Sequence, residues 1–563
     1  MAEQTVVSPV PDVEETPPAR PPRRPGARTT VVSVLAVAAV WLALVLPVRT
    51  RDLTPASFVQ VPLEGLLLVA VALLLRRAER RRLLATVLGG VLGVLLVVKA
   101  LDLAFDTVFD RPFDLLNDWY YVGPGVGVLG DSIGRPAALV VVVAVALLAV
   151  AVVVGVAAAG VRVAGVAAAH RRASARALVV LATVWAVGAV AGLHVGSTGT
   201  LAGHGTADLA VDEVRQLRAD LVDRKVFDRE IARDPYASTP ADRLLAGLRG
   251  KDVLVAVVES YGRVAVQGTS YSRGVDAVLA RGDQQLRASG YSVRSAFLTS
   301  PTFGAGSWLA HASLQSGLWV DSQQRYNQLF TRHRLTLSRA FAQAGWRTIF
   351  DDPAITKDWP EGKRFYGFDQ SYDSRNVGYR GPRFDYATMP DQYTLAALTR
   401  NEFTADPGRP RVMGEVDLVS SHHPWTPLPH LVPWSSVGDG SVFDGMPAQG
   451  ESATAAFRDP NKVRALYGQS IEYTLGTLVS WLQVQPDPNL VLVVYGDHQP
   501  HGYVSGEHPG HDVPISVIAR DPAVMDRIAG WGWQDGLRPQ PDAPVWRMDT
   551  FRDRFFAAFT PAG

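Results

Sequence analysis

The chain has 563 residues, more than one ordinary domain needs, and its 55 Lys and Arg nearly balance its 54 Asp and Glu. The resulting net charge of +1 gives no support for a nucleic-acid partner, which would need a concentrated basic face. Because cysteine is absent, disulfides, thiolate metal sites and a cysteine nucleophile are excluded, and any metal must be held by oxygen and imidazole ligands.

Apolar residues are concentrated before about residue 200. Residues 1–29 are polar and proline-rich and are predicted to form a disordered cytoplasmic tail. Residues 30–196 are predicted to be a transmembrane domain of about five helices, with four or six as the alternatives. This prediction rests on five apolar stretches: 30–48, 57–75, 83–104, 136–160 and 176–195. Each is close to the length of about 20 residues that crosses a bilayer.

Arginines in alternate loops predict the orientation of these helices. Five arginines lie between residues 76 and 82, and four lie between residues 162 and 176. Since cytoplasmic loops carry the excess of basic residues, both loops and the basic N-terminal tail are expected in the cytoplasm. An odd number of crossings then places everything after about residue 196 outside the cell. Abundant Ala, Val, Arg and Gly with scarce Lys indicate a bacterial genome, so we expect a multi-pass protein of the bacterial cell membrane.

The composition changes after the last apolar stretch. Residues 197–244 are polar and predict a helical linker with a turn at Asp234-Pro235. In residues 245–563, short apolar runs alternate with helical stretches and Gly/Pro turns. This alternation is typical of an α/β domain with a mostly parallel central sheet.

Three apolar runs, 253–258, 412–419 and 490–494, predict buried parallel strands. Glu259 follows the first run, His422 the second and Asp497-His498 the third. Each side chain alone could be a helix cap, a turn former or part of a surface loop. Because ligands bind at the carboxyl edge of open α/β sheets, the three strand ends together favour one metal site. Carboxylates and imidazoles suit Mn²⁺, Mg²⁺ or Zn²⁺.

A glycine-rich segment, 302–317, leads into a predicted short helix that begins near Ser307. Serine is among the best N-cap residues, which is the simpler interpretation of Ser307. The same geometry also suits catalysis, because a helix N-terminus attracts phosphate or sulfate and a nearby metal activates a hydroxyl.

This order of motifs resembles the sulfatase and alkaline-phosphatase-like superfamily: Glu259, the Ser307 helix, the His-Pro loop and Gly-Asp-His. His311 stands where sulfatases carry the arginine of their modification motif, and the proline of that motif is also missing. The resemblance therefore implies that Ser307 is unmodified, which argues against sulfate-ester hydrolysis.

The chain has five apolar stretches before its α/β half and an unmodified hydroxyl as the expected nucleophile. In both features it resembles the lipoteichoic acid synthase group. The nucleophile of that group is usually threonine. The resemblance implies one divalent ion, preferably Mn²⁺, with Mg²⁺ or Zn²⁺ as alternatives. It implies Ser307 as nucleophile and metal ligand, with the further metal ligands Glu259, Asp497 and His498. It also implies a set of substrate-binding side chains: His422, His311, Trp359, Lys363 and His511.

The function expected from this resemblance is transfer of a phosphorus-containing, phosphoglycerol-like headgroup from a membrane lipid through a phospho-serine. A glycolipid, a polymer or water would be the acceptor. One alternative is a membrane-tethered hydrolase of phosphate or sulfate esters with the same fold. The other is a non-catalytic membrane protein with a degenerate sulfatase-like domain.

Overall fold

The computed structural model describes residues 27–561, apart from 110, 124, 127–128, 130–133, 196–198, 405–407, 486 and 507–508. The predicted tail, residues 1–29, lies outside the described residues except for 27–29, which belong to the first helix. The chain divides into two compact units. Unit 1 comprises Met1–Ala100 and Val140–Ala210, and unit 2 comprises Leu101–Leu139 and Val211–Gly563.

Apolar helices dominate the first part of the chain. Four of the described helices are long and apolar enough to cross a membrane: α1 (Ala27–Val45), α3 (Ala78–Phe109), α4 (Arg135–Ala169) and α5 (Arg171–Val190). The second predicted span forms the shorter apolar helix α2 (Leu63–Leu74). The length and composition of the four long helices identify the chain as a membrane protein.

Unit 2 is built around a mixed sheet, which has nine strands in the described part of the chain. The strands are β1 (Asp252–Val258), β2 (Ser292–Thr299), β3 (Arg347–Asp352), β4 (Gln370–Asp373), β5 (Val412–Leu418), β6 (Leu490–Gly496), β7 (Asp512–Ala519), β8 (Gln534–Asp535) and β9 (Val545–Arg547). Their order is β8-β2-β7-β6-β1-β5-β3-β4, with β9 also paired to β2. Five neighbours, β6-β1-β5-β3-β4, are parallel, whereas β7 runs antiparallel to both β6 and β2.

Helices cover both faces of this sheet. The longer ones after α5 are α6 (Gly205–Ala232), α7 (Ser272–Ala288), α8 (Ser307–Ser316), α9 (Gln323–Phe330), α10 (Leu337–Gln343), α11 (Pro360–Tyr366), α12 (Asp391–Asn401), α13 (Pro460–Val484), α14 (Pro522–Ile528) and α15 (Phe551–Phe559). Helices α7 and α13 bury apolar residues against one face, where Leu254 and Ala256 point. Helices α8, α10 and α15 pack on the other face, where Val255 and Val257 point.

The predicted secondary structure agrees closely with these elements. The three predicted strands correspond to β1, β5 and β6, each within two residues at its ends. Helix α6 ends at Ala232, just before the predicted turn at Asp234-Pro235. Each of these strands is buried along its whole length. Their sequences are therefore mostly continuous apolar runs, a pattern that strongly predicts central parallel strands.

Candidate active site

Ser307 is the first residue of helix α8. Sequence alone suggested Ser307 as the N-cap, but the N-cap is Gly306, which adopts a left-handed conformation with φ of +85°. A residue without Cβ adopts this conformation at little cost, so glycine turns the chain directly into the helix. The Ser307 side chain makes no capping bond and points toward the carboxyl edge of the sheet, where it meets Glu259 and His498.

Glu259, Asp497 and His498 lie together at this edge, as the sequence predicts. One ligand atom from each lies within 4.8 Å of the other two. His498 Nε2 is 3.4 Å from Glu259 Oε1 and 3.5 Å from Asp497 Oδ2. Ser307 Oγ donates to Glu259 Oε2 at 3.0 Å and lies 3.3 Å from His498 Nε2. Donor atoms that share an ion with bonds of about 2.0–2.2 Å are separated by about 3.0–3.5 Å, so these four side chains fit a divalent cation.

Asp497 shows most directly that the site suits a cation. Its side chain is fully buried, and Oδ1 accepts hydrogen bonds from the backbone N–H groups of Ser260 and His498. Oδ2 is buried with no hydrogen-bond partner in the described part of the chain. Burial, followed by the charge of Glu259, raises the pKa of Asp497 to about 6. A metal ion would supply the missing partner for Oδ2 and favour the charged carboxylate.

Hydrogen bonds behind the ligands hold their orientation. His498 Nδ1 lies 2.8 Å from the carbonyl oxygen of Gln499, which only accepts, so Nδ1 carries the proton and Nε2 is free to bind a metal. Ser260 has a φ of +57°, an uncommon conformation for serine. Its hydroxyl donates to Glu259 Oε1, and its carbonyl accepts from the Tyr467 hydroxyl. These bonds stabilise the strained turn that positions Glu259.

His422 lies in the loop after β5 and stacks on Tyr386, with ring centroids 3.5 Å apart and planes inclined by 11°. Its Nδ1 lies 2.5 Å from the carbonyl oxygen of His423. Burial lowers the pKa of His422 to about 4. The ring is therefore neutral at pH 7, with Nδ1 protonated and Nε2 available as an acceptor.

The other predicted substrate residues occupy different environments. His511 precedes β7, where Nδ1 lies 3.2 Å from the carbonyl oxygen of Ser300 and the ring packs near Phe303, in the loop that leads to Ser307. Trp359 packs in an aromatic cluster with Phe350, and Lys363 is exposed on α11. Among the described residues, neither Trp359 nor Lys363 forms a hydrogen bond or ion pair with the four-residue metal set.

His311 belongs to a second group of polar residues that the sequence alone did not reveal. It lies one helical turn after Ser307 and contacts Glu415 and Asp417, both on β5. The available signal was the pair of acidic residues two positions apart within an apolar strand, in VMGEVDL. Side chains two apart on a strand face the same way, so this spacing predicts two carboxylates on one buried face.

Comparisons with known proteins give matches only at the level of structure. Neither a protein-family model nor a curated protein matches the chain. The lipoteichoic acid synthase LtaP from Listeria monocytogenes is 13% identical, with a TM-score of 0.36 over 57% of this chain and 75% of its own. A protein in the alkaline phosphatase superfamily from Vibrio parahaemolyticus is 13% identical, with a TM-score of 0.32 over 53% of this chain and 62% of its own.

A further solved structure is the Streptococcus pyogenes phosphoglycerol transferase GacH in complex with sn-glycerol-1-phosphate. It is 12% identical, with a TM-score of 0.33 over 61% of this chain and 91% of its own. The solved structures to which the chain is similar therefore include a lipoteichoic acid synthase, a protein of the alkaline phosphatase superfamily and a phosphoglycerol transferase.

Proposed function

We propose that the chain is a membrane-anchored, metal-dependent transferase that moves a phosphoglycerol-like headgroup from a lipid donor through a phospho-serine intermediate. The observation that carries this proposal is the position of Ser307 Oγ. It lies within hydrogen-bond distance of both Glu259 Oε2 and His498 Nε2 at the first residue of a helix. A hydroxyl beside a metal-ligand set and a helix N-terminus is suited to attack an anionic phosphodiester.

In the first half-reaction, Ser307 Oγ forms a bond to phosphorus. Its hydroxyl proton leaves toward Glu259 Oε2, to which it already donates. The bond between phosphorus and the diacylglycerol oxygen breaks, and that oxygen takes up a proton from water as it leaves. The positive end of helix α8 offsets the negative charge on the phosphoryl oxygens.

Glu259, Ser307, Asp497 and His498 would hold the divalent ion, which we propose to be Mn²⁺, with Mg²⁺ and Zn²⁺ as alternatives. When bound, the ion supplies positive charge that lowers the pKa of a neighbouring hydroxyl and offsets phosphoryl charge. The buried, unpartnered Oδ2 of Asp497 supports this assignment.

In the second half-reaction, the oxygen of an acceptor hydroxyl forms a bond to phosphorus and releases its proton to water. The bond between phosphorus and Ser307 Oγ breaks, and Ser307 Oγ takes back a proton from Glu259. We propose that the acceptor approaches beside His422, whose neutral Nε2 can accept a hydrogen bond from the acceptor hydroxyl. Its stacking on Tyr386 fixes the plane of the imidazole. His511, beside the loop that leads to Ser307, is the second proposed substrate contact. The acceptor would be a glycolipid, a polymer or water.

A membrane anchor would keep the catalytic domain near its lipid donor, which would raise the effective concentration of headgroups. We propose five crossings, with α2 as the short second span, and the residues after about 196 outside the cell. External protease on intact cells should then release a fragment that begins shortly after α5, which ends at Val190. Protection of this fragment in intact cells, with cleavage only after lysis, would contradict the orientation.

Mass spectrometry of Ser307 tests the reaction. The full chain in detergent would be incubated with membrane lipids and Mn²⁺, quenched in acid and digested. A glycerophosphate adduct on the Ser307 peptide supports the transferase. Rapid turnover of a small soluble ester, without any lipid-derived adduct, would instead favour the hydrolase. A chain that binds no metal and forms no adduct would favour the non-catalytic alternative.

A further inference from the structure

A second buried polar cluster lies beneath the proposed catalytic site. His311 Nδ1 is 3.3 Å from Glu415 Oε1 and 3.7 Å from Asp417 Oδ2. One ligand atom from each residue lies within 4.8 Å of the other two. Glu415 is 2% exposed and Asp417 is 9% exposed, so both carboxylates are removed from water. These separations are close to those within the Ser307 site.

Strand register places the cluster under helix α8. Glu415 and Asp417 are paired with Val255 and Val257, whose side chains point to the face covered by α8. Tyr495 is paired with Val257 from the other side, so it shares this face. Glu259 is two residues beyond Val257 and also lies on this face. The cluster and the Ser307 site are therefore neighbours on one side of the sheet but use different residues.

Three polar atoms at the cluster are buried and have no hydrogen-bond partner among the described residues: His311 Nε2, Asp417 Oδ1 and the Tyr495 hydroxyl. Tyr495 is fully buried, and its ring centroid lies 6.4 Å from that of His311. Leaving such groups unpaired costs about 1–3 kcal/mol each. An imidazole nitrogen, a carboxylate oxygen and a phenol hydroxyl are thus all buried without a partner. Together they indicate that the cluster binds something besides its own side chains.

The charge of the cluster points to a cation. Within the described part of the chain, neither Glu415 nor Asp417 is paired with an arginine or lysine, and His311 is their ionisable partner. Gln315 donates to Glu415 Oε2, which leaves Oε1 facing His311. Two carboxylates with one imidazole suit a borderline divalent ion.

We propose that His311, Glu415 and Asp417 form a second divalent-cation site, which takes Zn²⁺ or Mn²⁺. The ion offsets the charge of the buried carboxylates that contact His311, which lies one helical turn after Ser307. Because this site shares no ligand with the first, it does not depend on the proposed transferase chemistry. The competing arrangement is a protonated His311 without any ion. In that arrangement burial would lower the pKa of His311, but the charges of Asp417 and Glu415 raise it to about 10.

Metal content distinguishes these arrangements. The full chain, purified in detergent and without affinity tags, would be stripped with a chelator. It would then be dialysed against Mn²⁺ or Zn²⁺ and measured by mass spectrometry of the metal. We expect about two equivalents per chain, one for each group. Glu415→Gln combined with Asp417→Asn should remove one equivalent, and Asp497→Asn combined with Glu259→Gln should remove the other.

Asp351→Asn is the matched control. Asp351 is also a buried strand carboxylate with an unpartnered oxygen, but it is paired with Val416 and so faces away from Glu415 and Asp417. This variant should retain both equivalents. The equivalent that remains in the Glu415/Asp417 double variant also shows that this variant is folded. A single equivalent in the parent protein with either ion, or two equivalents in the Glu415/Asp417 double variant, would overturn the second site.

Discussion

The two edges of the parallel strands both bury carboxylates but neutralise them differently. At the amino edge, Asp252 is fully buried and accepts hydrogen bonds from Arg409 and from the Val412 N–H, with Arg411 also nearby. At the carboxyl edge and within the strand just before it, four acids have no lysine or arginine partner in the part of the chain that the structure describes: Glu259, Asp497, Glu415 and Asp417. Their ionisable partners are His311 and His498.

This difference distinguishes acids that support the fold from acids that we propose to bind cations. A buried carboxylate next to arginine is satisfied by the chain itself, and removing either partner leaves an unpaired charge. A buried carboxylate without such a partner is costly unless an ion arrives. We therefore expect mutations at the amino edge to lower stability and mutations at the carboxyl edge to lower metal binding and turnover.

Ser307→Ala should have the largest effect, because the variant loses the oxygen that we propose to attack phosphorus. Turnover should fall by about a thousandfold or more, the scale seen when a covalent nucleophile is removed. Ser307→Thr should keep measurable turnover, since it retains the hydroxyl and adds one methyl group. Release of headgroup from a labelled lipid measures both variants.

Thr302→Ala is the control for the Ser307 loop. The Thr302 hydroxyl donates to the Ala305 carbonyl and takes no part in the metal set. We expect less than about a tenfold loss of turnover. Because Ser307 makes no capping bond, the free energy of unfolding of Ser307→Ala should lie within about 0.5 kcal/mol of that of the parent. An active Ser307→Ala variant would move the nucleophile elsewhere.

Asp252→Asn tests the amino edge. The substitution leaves Arg409 and Arg411 with Asp487 as their remaining acidic partner, so the free energy of unfolding should fall by about 3 kcal/mol. Asp549→Asn, which removes an ion pair with the exposed Arg547, should cost less than about 1 kcal/mol. Urea titration of the full chain in detergent, followed by tryptophan fluorescence, measures both. Equal losses would remove the distinction between buried and exposed pairs.

The pH dependence of stability should differ in sign between the edges. Asp391 is buried beneath the carboxyl edge, where it accepts from Ser420 N–H at 3.0 Å and the Thr474 hydroxyl at 2.6 Å. Burial raises its pKa from 3.8 to about 6. The native state then holds this proton more tightly than the unfolded state does. Its contribution is therefore present below pH 3.8 and is lost as pH rises through about 6, by up to about 3 kcal/mol.

Asp252 should act in the opposite direction. Burial alone would raise its pKa, but hydrogen bonds from Arg409 and the Val412 N–H outweigh burial and lower it. Its contribution is therefore present above its ordinary pKa of 3.8 and is lost as pH falls. Asp391→Asn should flatten the slope between pH 4 and 6, whereas Asp252→Asn should flatten the more acidic limb. Unchanged slopes in both variants would contradict these assignments.

Asp497→Asn should give a small change in the free energy of unfolding, with a sign that depends on metal. The amide keeps an oxygen for the Ser260 and His498 N–H groups and removes an unpartnered buried charge. Without metal, the free energy of unfolding should rise by about 1 kcal/mol. With saturating Mn²⁺, the parent should be the more stable protein, because it binds the ion more tightly. A variant that is less stable in chelator would contradict this reversal.

The sequence predicted the strand ends better than it predicted their surroundings. Glu259, Asp497 and His498 follow continuous apolar runs, so their meeting at one edge could be expected. The contacts of His311 could not be predicted, because its partners Glu415 and Asp417 lie inside an apolar run. Which residues pair across neighbouring strands is not visible in one sequence. The sequence also predicts Ser307 as the N-cap, one residue after the observed N-cap Gly306. Both residues are plausible helix starts, and only the backbone conformation distinguishes them.

The antiparallel strand β7 changes how a residue can reach the proposed active site. The parallel strands deliver the residue that follows them, as β1 delivers Glu259. Because β7 runs in reverse, it brings the residue that precedes it, His511, to the same edge, where its backbone carbonyl accepts from Ser300 N–H. One reversed strand thus lets a residue that precedes a strand, rather than follows it, lie at this edge. Insertions before β7 could therefore alter substrate selection while leaving the metal ligands untouched.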